Sequence, residues 1–189
     1  RRERPVWGIG ELGYHTTNKR LTDVQTFLWV RERSRQGVLE AIRRGRMFAV
    51  QRPPEYNLLL RDFSLSQGKS RHSAISGDEL RIEGQDPLLV RLKVETSDGS
   101  HRPLHLDLIR SGTLIQRFRG ETPFQTTYRD VPPSGTEKIF YRLKITSPHL
   151  LASNPIFAQR VVRLGSPQAV QLDPSALLRT GSAQVGGTR

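Results

Sequence analysis

Apolar and polar positions alternate with a period of two over most of this chain and follow a helical period only once. Residues 24–30, Val-Gln-Thr-Phe-Leu-Trp-Val, are rich in β-branched and aromatic side chains and predict a buried strand. Ser34 then offers an N-cap hydroxyl, and Val38, Leu39 and Ile42 recur at helical spacing. Gly45 ends that pattern, with Arg43 and Arg44 placed against the negative end of the helix dipole. Residues 47–50 begin another strand. A strand–helix–strand unit is the repeating element of α/β folds, and a single copy cannot enclose a core, so it must pack on something else.

The pattern changes at Arg52-Pro53-Pro54. Beyond it come runs with strand character at residues 56–65, 79–83, 88–96, 104–110, 114–119, 124–128, 138–146 and 155–164. Breakers such as Asp98-Gly99, Ser111-Gly112, Pro132-Pro133 and Ser134-Gly135 separate many of them. Short strands with turn signals between them predict an antiparallel β-sandwich. In the hairpin around Gly112, pairing Leu106 with Phe118, Asp107 with Arg117, Leu108 with Gln116 and Ile109 with Ile115 sets apolar against apolar at two positions and opposite charges at a third. That register implies a three-residue loop, residues 111–113. Tyr141, Leu143 and Ile145 alternate with Arg142, Lys144 and Thr146, as a half-buried strand requires. From residue 165 onward Gly, Ser, Pro and Gln dominate, which predicts a mostly disordered tail with one turn of helix at most, at Ala176-Leu177-Leu178. The expected organisation is therefore mostly β: a strand–helix–strand segment over residues 1–52, an antiparallel sandwich over 53–164, and a flexible tail over 165–189.

Composition narrows the chemistry. The chain has 189 residues and no cysteine, which excludes disulfides, Cys-ligated zinc and thiol catalysis. No apolar run approaches the length of a membrane span, and Arg1-Arg2-Glu3-Arg4 leads into no signal-peptide core. Met47 is the single methionine, so residue 1 reads as an internal position of something longer, and any signal peptide would lie upstream; the compartment is left open. Lys and Arg total 30 against 18 Asp and Glu, a net charge of +12. Such an excess attracts polyanions without sequence specificity, an attraction that should fade steeply with salt. Yet 25 of the 30 are Arg, scattered among strands and turns, with no RNP-type aromatic motif or Cys/His finger spacing, so the sequence argues against nucleic acid as a partner.

Most candidate motifs have ordinary readings. Gly8-x-Gly10 precedes no Gly-rich helix start and there is no GxSxG elbow, so neither a dinucleotide site nor a Ser triad is expected. His72, His101, His105 and His149 are spread over turns and strands and read as surface residues. Asp78-Glu79 sits at a strand entrance, where a carboxylate satisfies turn amides. Trp7 and Trp29 read as core or interface mass ahead of a sugar platform.

Four phrases are more specific. Gly8-Ile9-Gly10-Glu11-Leu12-Gly13-Tyr14-His15, followed by the strand ending at Val30 and by Glu40-Ala41-Ile42-Arg43-Arg44-Gly45-Arg46, resembles the last barrel segment of PHP-superfamily metallohydrolases, in the branch that includes carbaryl-hydrolase-like enzymes. Ser76-Gly77-Asp78-Glu79-Leu80 and Ser153-Asn154-Pro155-Ile156-Phe157 look like the opening and the closing strand of the β-sandwich that many members of that branch carry. The resemblance spans roughly residues 5–162. It implies a final strand–helix unit of a PHP-type α/β barrel, and His15 as a metal ligand from a late Asp-x-His pair in which Gly13 stands where the Asp would be. It also implies a parent that hydrolyses an ester, carbamate or phosphoester with divalent zinc, manganese or iron. The remaining ligands would lie in an N-terminal barrel portion, the principal partner of these residues. The segment alone is then expected to bind no metal stably, to be inactive, and to self-associate through the apolar strand 24–30 unless that strand is covered. The alternative is a sandwich that serves as a binding module for carbohydrate, polyanion or a partner protein, a choice that fold alone does not decide.

Overall fold

The computed structural model describes residues 5–12, 20, 22–51, 55–70 and 72–161. The expected tail over 165–189 lies outside the described residues, as does the Pro53-Pro54 turn. The fold is mostly β, built from two largely antiparallel sheets that share one apolar core.

The smaller sheet runs β4 (Ser73–Ile75), β3 (Leu58–Gln67), β6 (Leu88–Thr96), β9 (Phe124–Asp130). The larger is organised on β10 (Lys138–Ser147). One edge of β10 carries β7 (Pro103–Arg110) and then β8 (Thr113–Glu121). Its other edge is shared by two short strands. β12 (Ile156–Arg160) pairs with the first half of β10 and β11 (Leu151–Ser153) with the second. β11 continues into β2 (Met47–Gln51) and β1 (Val24–Leu28), whereas β12 continues into β5 (Glu79–Ile82). The sheet therefore forks at Asn154-Pro155, where proline can offer no amide hydrogen to a ladder.

The alternation seen in sequence is the burial pattern of β10. Ile139, Tyr141, Leu143 and Ile145 are buried, while Lys138, Arg142, Lys144 and Thr146 are exposed. Leu88, Val90, Leu92 and Val94 of β6 meet them from the opposite sheet, each worth about 1.5–3 kcal/mol when fully buried. β4 and β11 were not anticipated, because a three-residue strand is too short to show a period.

The β7–β8 hairpin follows the expected register from Leu106↔Phe118 through Leu108↔Gln116 and then shifts. Ile109 pairs with Leu114, leaving Ile115 as a bulge, and the loop is the two residues Ser111-Gly112. Both have positive φ, 48° and 87°, the conformation a tight hairpin turn needs to match strand twist. The expected three-residue loop was wrong because a bulge absorbs the extra residue that side-chain matching had assigned to the turn.

Helix α1 (Arg35–Arg44) begins where expected, with the Ser34 hydroxyl accepting from the Gly37 amide at 3.0 Å. It ends at Gly45, φ 72°, whose amide hydrogen reaches the Ala41 and Ile42 carbonyls. Its covered face is lined by its small residues. Gly37 and Ala41 are buried, whereas Val38 and Ile42 are 37% and 43% exposed. Periodicity shows which residues share a helix face; the small side chains decide which face approaches the rest of the molecule.

The strand–helix–strand segment is also no parallel α/β unit. β1 and β2 pair antiparallel, Val24↔Gln51 to Leu28↔Met47. Only Gly45 and Arg46 separate helix from β2, and the Trp29 amide donates to the Arg46 carbonyl at 2.9 Å. The chain thus re-enters the sheet beside the end of β1 and must run back along it. Among the described residues no helix is long and apolar enough to cross a membrane.

Candidate functional site

The fork gathers residues far apart in sequence. Both strands that diverge from it, β2 and β5, are entered through a glycine followed by a charged residue: Gly45-Arg46 and Gly77-Asp78. The Arg46 guanidinium, buried at 9% exposure, meets the Asp78 carboxylate with Nε 3.2 Å and Nη2 3.0 Å from Oδ1. Glu40 of α1 lies 3.8 Å from Arg46 and 3.2 Å from Arg44. Arginine's planar fork suits such an arrangement, since one side chain tethers two elements.

Asn154 closes the junction. Its Oδ1 accepts from the Gly8 amide at 2.8 Å, and its Nδ2 donates to the carbonyls of Gly8 and Gly45 at 3.1 and 3.2 Å. Its carbonyl accepts from the buried Ser76 hydroxyl at 3.0 Å. The Gly77 amide donates to Pro155 at 2.7 Å, which starts the parallel β5–β12 pairing. A side chain on Gly77 would overlap the Arg44 carbonyl, and φ is 84° there, so only glycine fits. Trp7 lies against Gly45, where a β-carbon would strike its indole, and donates Nε1–H to the Arg43 carbonyl at 3.0 Å, satisfying a helix-end acceptor. Trp7 is thus interface mass, as expected, and Trp29 packs on Phe48 with ring centroids 4.9 Å apart.

Asp78-Glu79 departs from its expected role. Asp78 accepts from Arg46 and Glu79 lies 2.9 Å from the Lys138 ammonium, so both carboxylates face cations brought from other elements instead of turn amides. Beside the junction opens a cleft of about 550 Å³ whose walls include Arg44, Arg46, Gln67, His72, Asp78 and Arg81. Its most buried charges, Arg46 and Asp78, neutralise each other.

A second polar cluster went unnoticed in the sequence. Inside the sandwich Asp130, at the end of β9, accepts from the Tyr141 hydroxyl at 2.5 Å and from Arg110 Nη1 at 2.8 and 2.9 Å. β9 belongs to one sheet and β7 and β10 to the other, so the cluster ties the layers together. Burial, and then the hydrogen bond to Asp130, hold the Tyr141 phenol well above its ordinary value. The available signal was parity: Arg110 and Tyr141 fall on inward positions of otherwise apolar strands.

Of the residues tied to metal, His15 and Gly13 lie outside the described residues. Among the described residues no group of three or more His, Asp or Glu is placed to hold a metal ion. His101 and His105 are exposed and four apart on an extended chain, which separates them by about 13 Å. His149 packs on the Tyr56 ring, and burial lowers its pKa. No protein-family model matches this chain, and no curated protein matches it either.

Proposed function

We propose that these residues are the C-terminal part of a PHP-like metal-dependent hydrolase of ester, carbamate or phosphoester bonds: the final barrel segment and an accessory β-sandwich. One observation carries the reading. The four short phrases on which the resemblance rests, at residues 8–15, 40–46, 76–80 and 153–157, each send a residue to the fork: Gly8 and Gly45 to the Asn154 side chain, Arg46 to Asp78, and Ser76 to the Asn154 carbonyl. Chance matches scattered over the chain would have no reason to build one junction. In this reading the junction is structural: it fixes the sandwich to the segment that bears His15.

The described residues do not fit a metal site, so no catalytic step is assigned to them. Divalent metal would be held chiefly by ligands outside this chain, with His15 as one contributor.

The test pairs two proteins, this chain alone and the same chain extended upstream in its reading frame. The extended protein is expected to bind divalent metal and hydrolyse nitrophenyl esters or phosphoesters in a chelator-sensitive way, while this chain gives only the buffer rate. A robust chelator-sensitive rate from this chain, or an extended protein that binds no metal, would overturn the proposal.

A further inference from the structure

Six of the cations that are scattered along the sequence share one face of the molecule. Strand parity on β10 turns Lys138, Phe140, Arg142 and Lys144 to the outer face of the large sheet, opposite the core. The ladder extends this face on both sides. Lys144 aligns with Asp107 and then Arg117, Arg119 lies one outward position further along β8, and Arg81 aligns through Gln159 with Lys138. Six Lys and Arg side chains thus share the face with three carboxylates, Glu79, Asp107 and Glu121. Lys138 and Arg117 neutralise two of those acids, at 2.9 and 2.7 Å. Arg81, Arg119 and Arg142 form no ion pair among the described residues.

Amid these charges lies an aromatic cavity of about 410 Å³. Its walls include Trp7, Phe140, Phe157, Pro155 and the unpaired Arg142. Phe157 stands 6.1 Å from Trp7 and 6.3 Å from Phe140, centroid to centroid. The outer face of the small sheet has cations too, among them Arg91 and Arg129, but its register places no aromatic ring beside them.

We propose that the outer face of the large sheet binds single-stranded nucleic acid, with one base in the Trp7–Phe140–Phe157 cavity and the adjoining phosphates along Arg142 and Lys144. Unpaired bases offer ring faces to aromatic side chains, and a cationic track alongside neutralises the backbone. Successive outward residues of a strand stand about 6.6 Å apart, so Arg142 and Lys144 present a regular row of charge leading from the cavity. A ligand recognised by charge alone would make no use of the rings, and this distinguishes the proposal from general polyanion attraction. It stands independently of the hydrolase reading.

The experiment is fluorescence anisotropy of a labelled short oligothymidylate and oligouridylate with the full chain, at about 50 and about 300 mM salt. Binding near the micromolar range is expected at the lower salt, weakening steeply at the higher. Phe140→Ala should weaken it about tenfold, and Phe140→Leu, which keeps apolar bulk without the ring, should do the same. Arg142→Ala with Lys144→Ala should weaken binding about tenfold and flatten the log–log salt slope by roughly 1.4. Arg91→Ala with Arg129→Ala, on the opposite sheet, should leave binding unchanged. No binding at the lower salt overturns the proposal. So does equal affinity for a heparin fragment combined with indifference to both Phe140 variants, which would make the face a charge-only polyanion surface.

Discussion

Among the described residues two Arg–Asp pairs bridge elements distant in sequence, Arg46–Asp78 and Arg110–Asp130, and they are near mirror images. At the fork the guanidinium is the buried partner: Arg46 is 9% exposed and Asp78 23%. In the sandwich interior the carboxylate is the buried partner, with Asp130 7% exposed and Arg110 21%. The difference follows from what each pair must satisfy. Arg46 carries several donors, and Asp78 and Glu40 both stand within 4 Å of it, so losing one acceptor leaves another. Asp130 receives both Tyr141 and Arg110, and Tyr141 is fully buried, so losing Asp130 leaves a hydroxyl in the core with its partner gone. Burial of the shared acceptor, more than the presence of an ion pair, sets the consequence.

Substitutions can break or sharpen this comparison. The largest effect is expected from the fork's backbone, not its charges. Gly77→Ala must displace the Arg44 carbonyl and should cost about 3 kcal/mol or more, whereas Gly84→Ala, also at positive φ but with open space around it, should cost about 1 kcal/mol; denaturant unfolding measures both. Next comes the paired removal of carboxylates. Asp130→Ala should cost about 3 kcal/mol and Asp78→Ala about half that, and the reverse order would refute the role given to the shared acceptor.

Tyr141→Phe should cost about 1–2 kcal/mol, with a signature in pH. Because the folded-state pKa of Tyr141 is raised, its contribution is whole below its ordinary value of 10.0. Above that the unfolded chain releases the proton while the folded one keeps it, so stability falls as pH rises. The phenylalanine variant should lose that part of the alkaline decline; an unchanged slope in thermal melts would place the Tyr141 hydroxyl in contact with solvent. The smallest change is Trp7→Phe, which removes the hydrogen bond to Arg43 at an exposed helix end and part of the indole surface packed on Gly45, and should cost about 1 kcal/mol by denaturant unfolding.

Features decided within a few neighbours were legible. The Ser34 cap, the Gly45 terminus, the β10 alternation and most of the β7–β8 register all appear as read. The errors have a common source. The spacing of Val38, Leu39 and Ile42 marked the helix without recording which side is covered; Gly37 and Ala41, which let it approach closely, are the covered residues. The strand–helix–strand segment suggested an α/β unit because its sequence does not record which end of β1 the helix returns to. Asp78 was given turn amides as partners, since Arg46 is 32 residues away and only the fork brings them together.

By itself the sequence determined that this is a largely β chain, where most strands begin and end, which face of each is apolar, and that no cysteine chemistry is available. Those properties follow from backbone sterics and from side chains at most a turn or a strand apart. Tertiary structure alone decided the fork, the choice of Asn154 to hold a glycine 146 residues earlier, the Arg110–Asp130–Tyr141 cluster, and the placing of six dispersed cations on the sheet face that holds the aromatic cavity. The reason is that strand pairing converts parity into a face. A cation on any one strand is only an exposed residue, and its neighbours are named only when other strands lie down beside it in register.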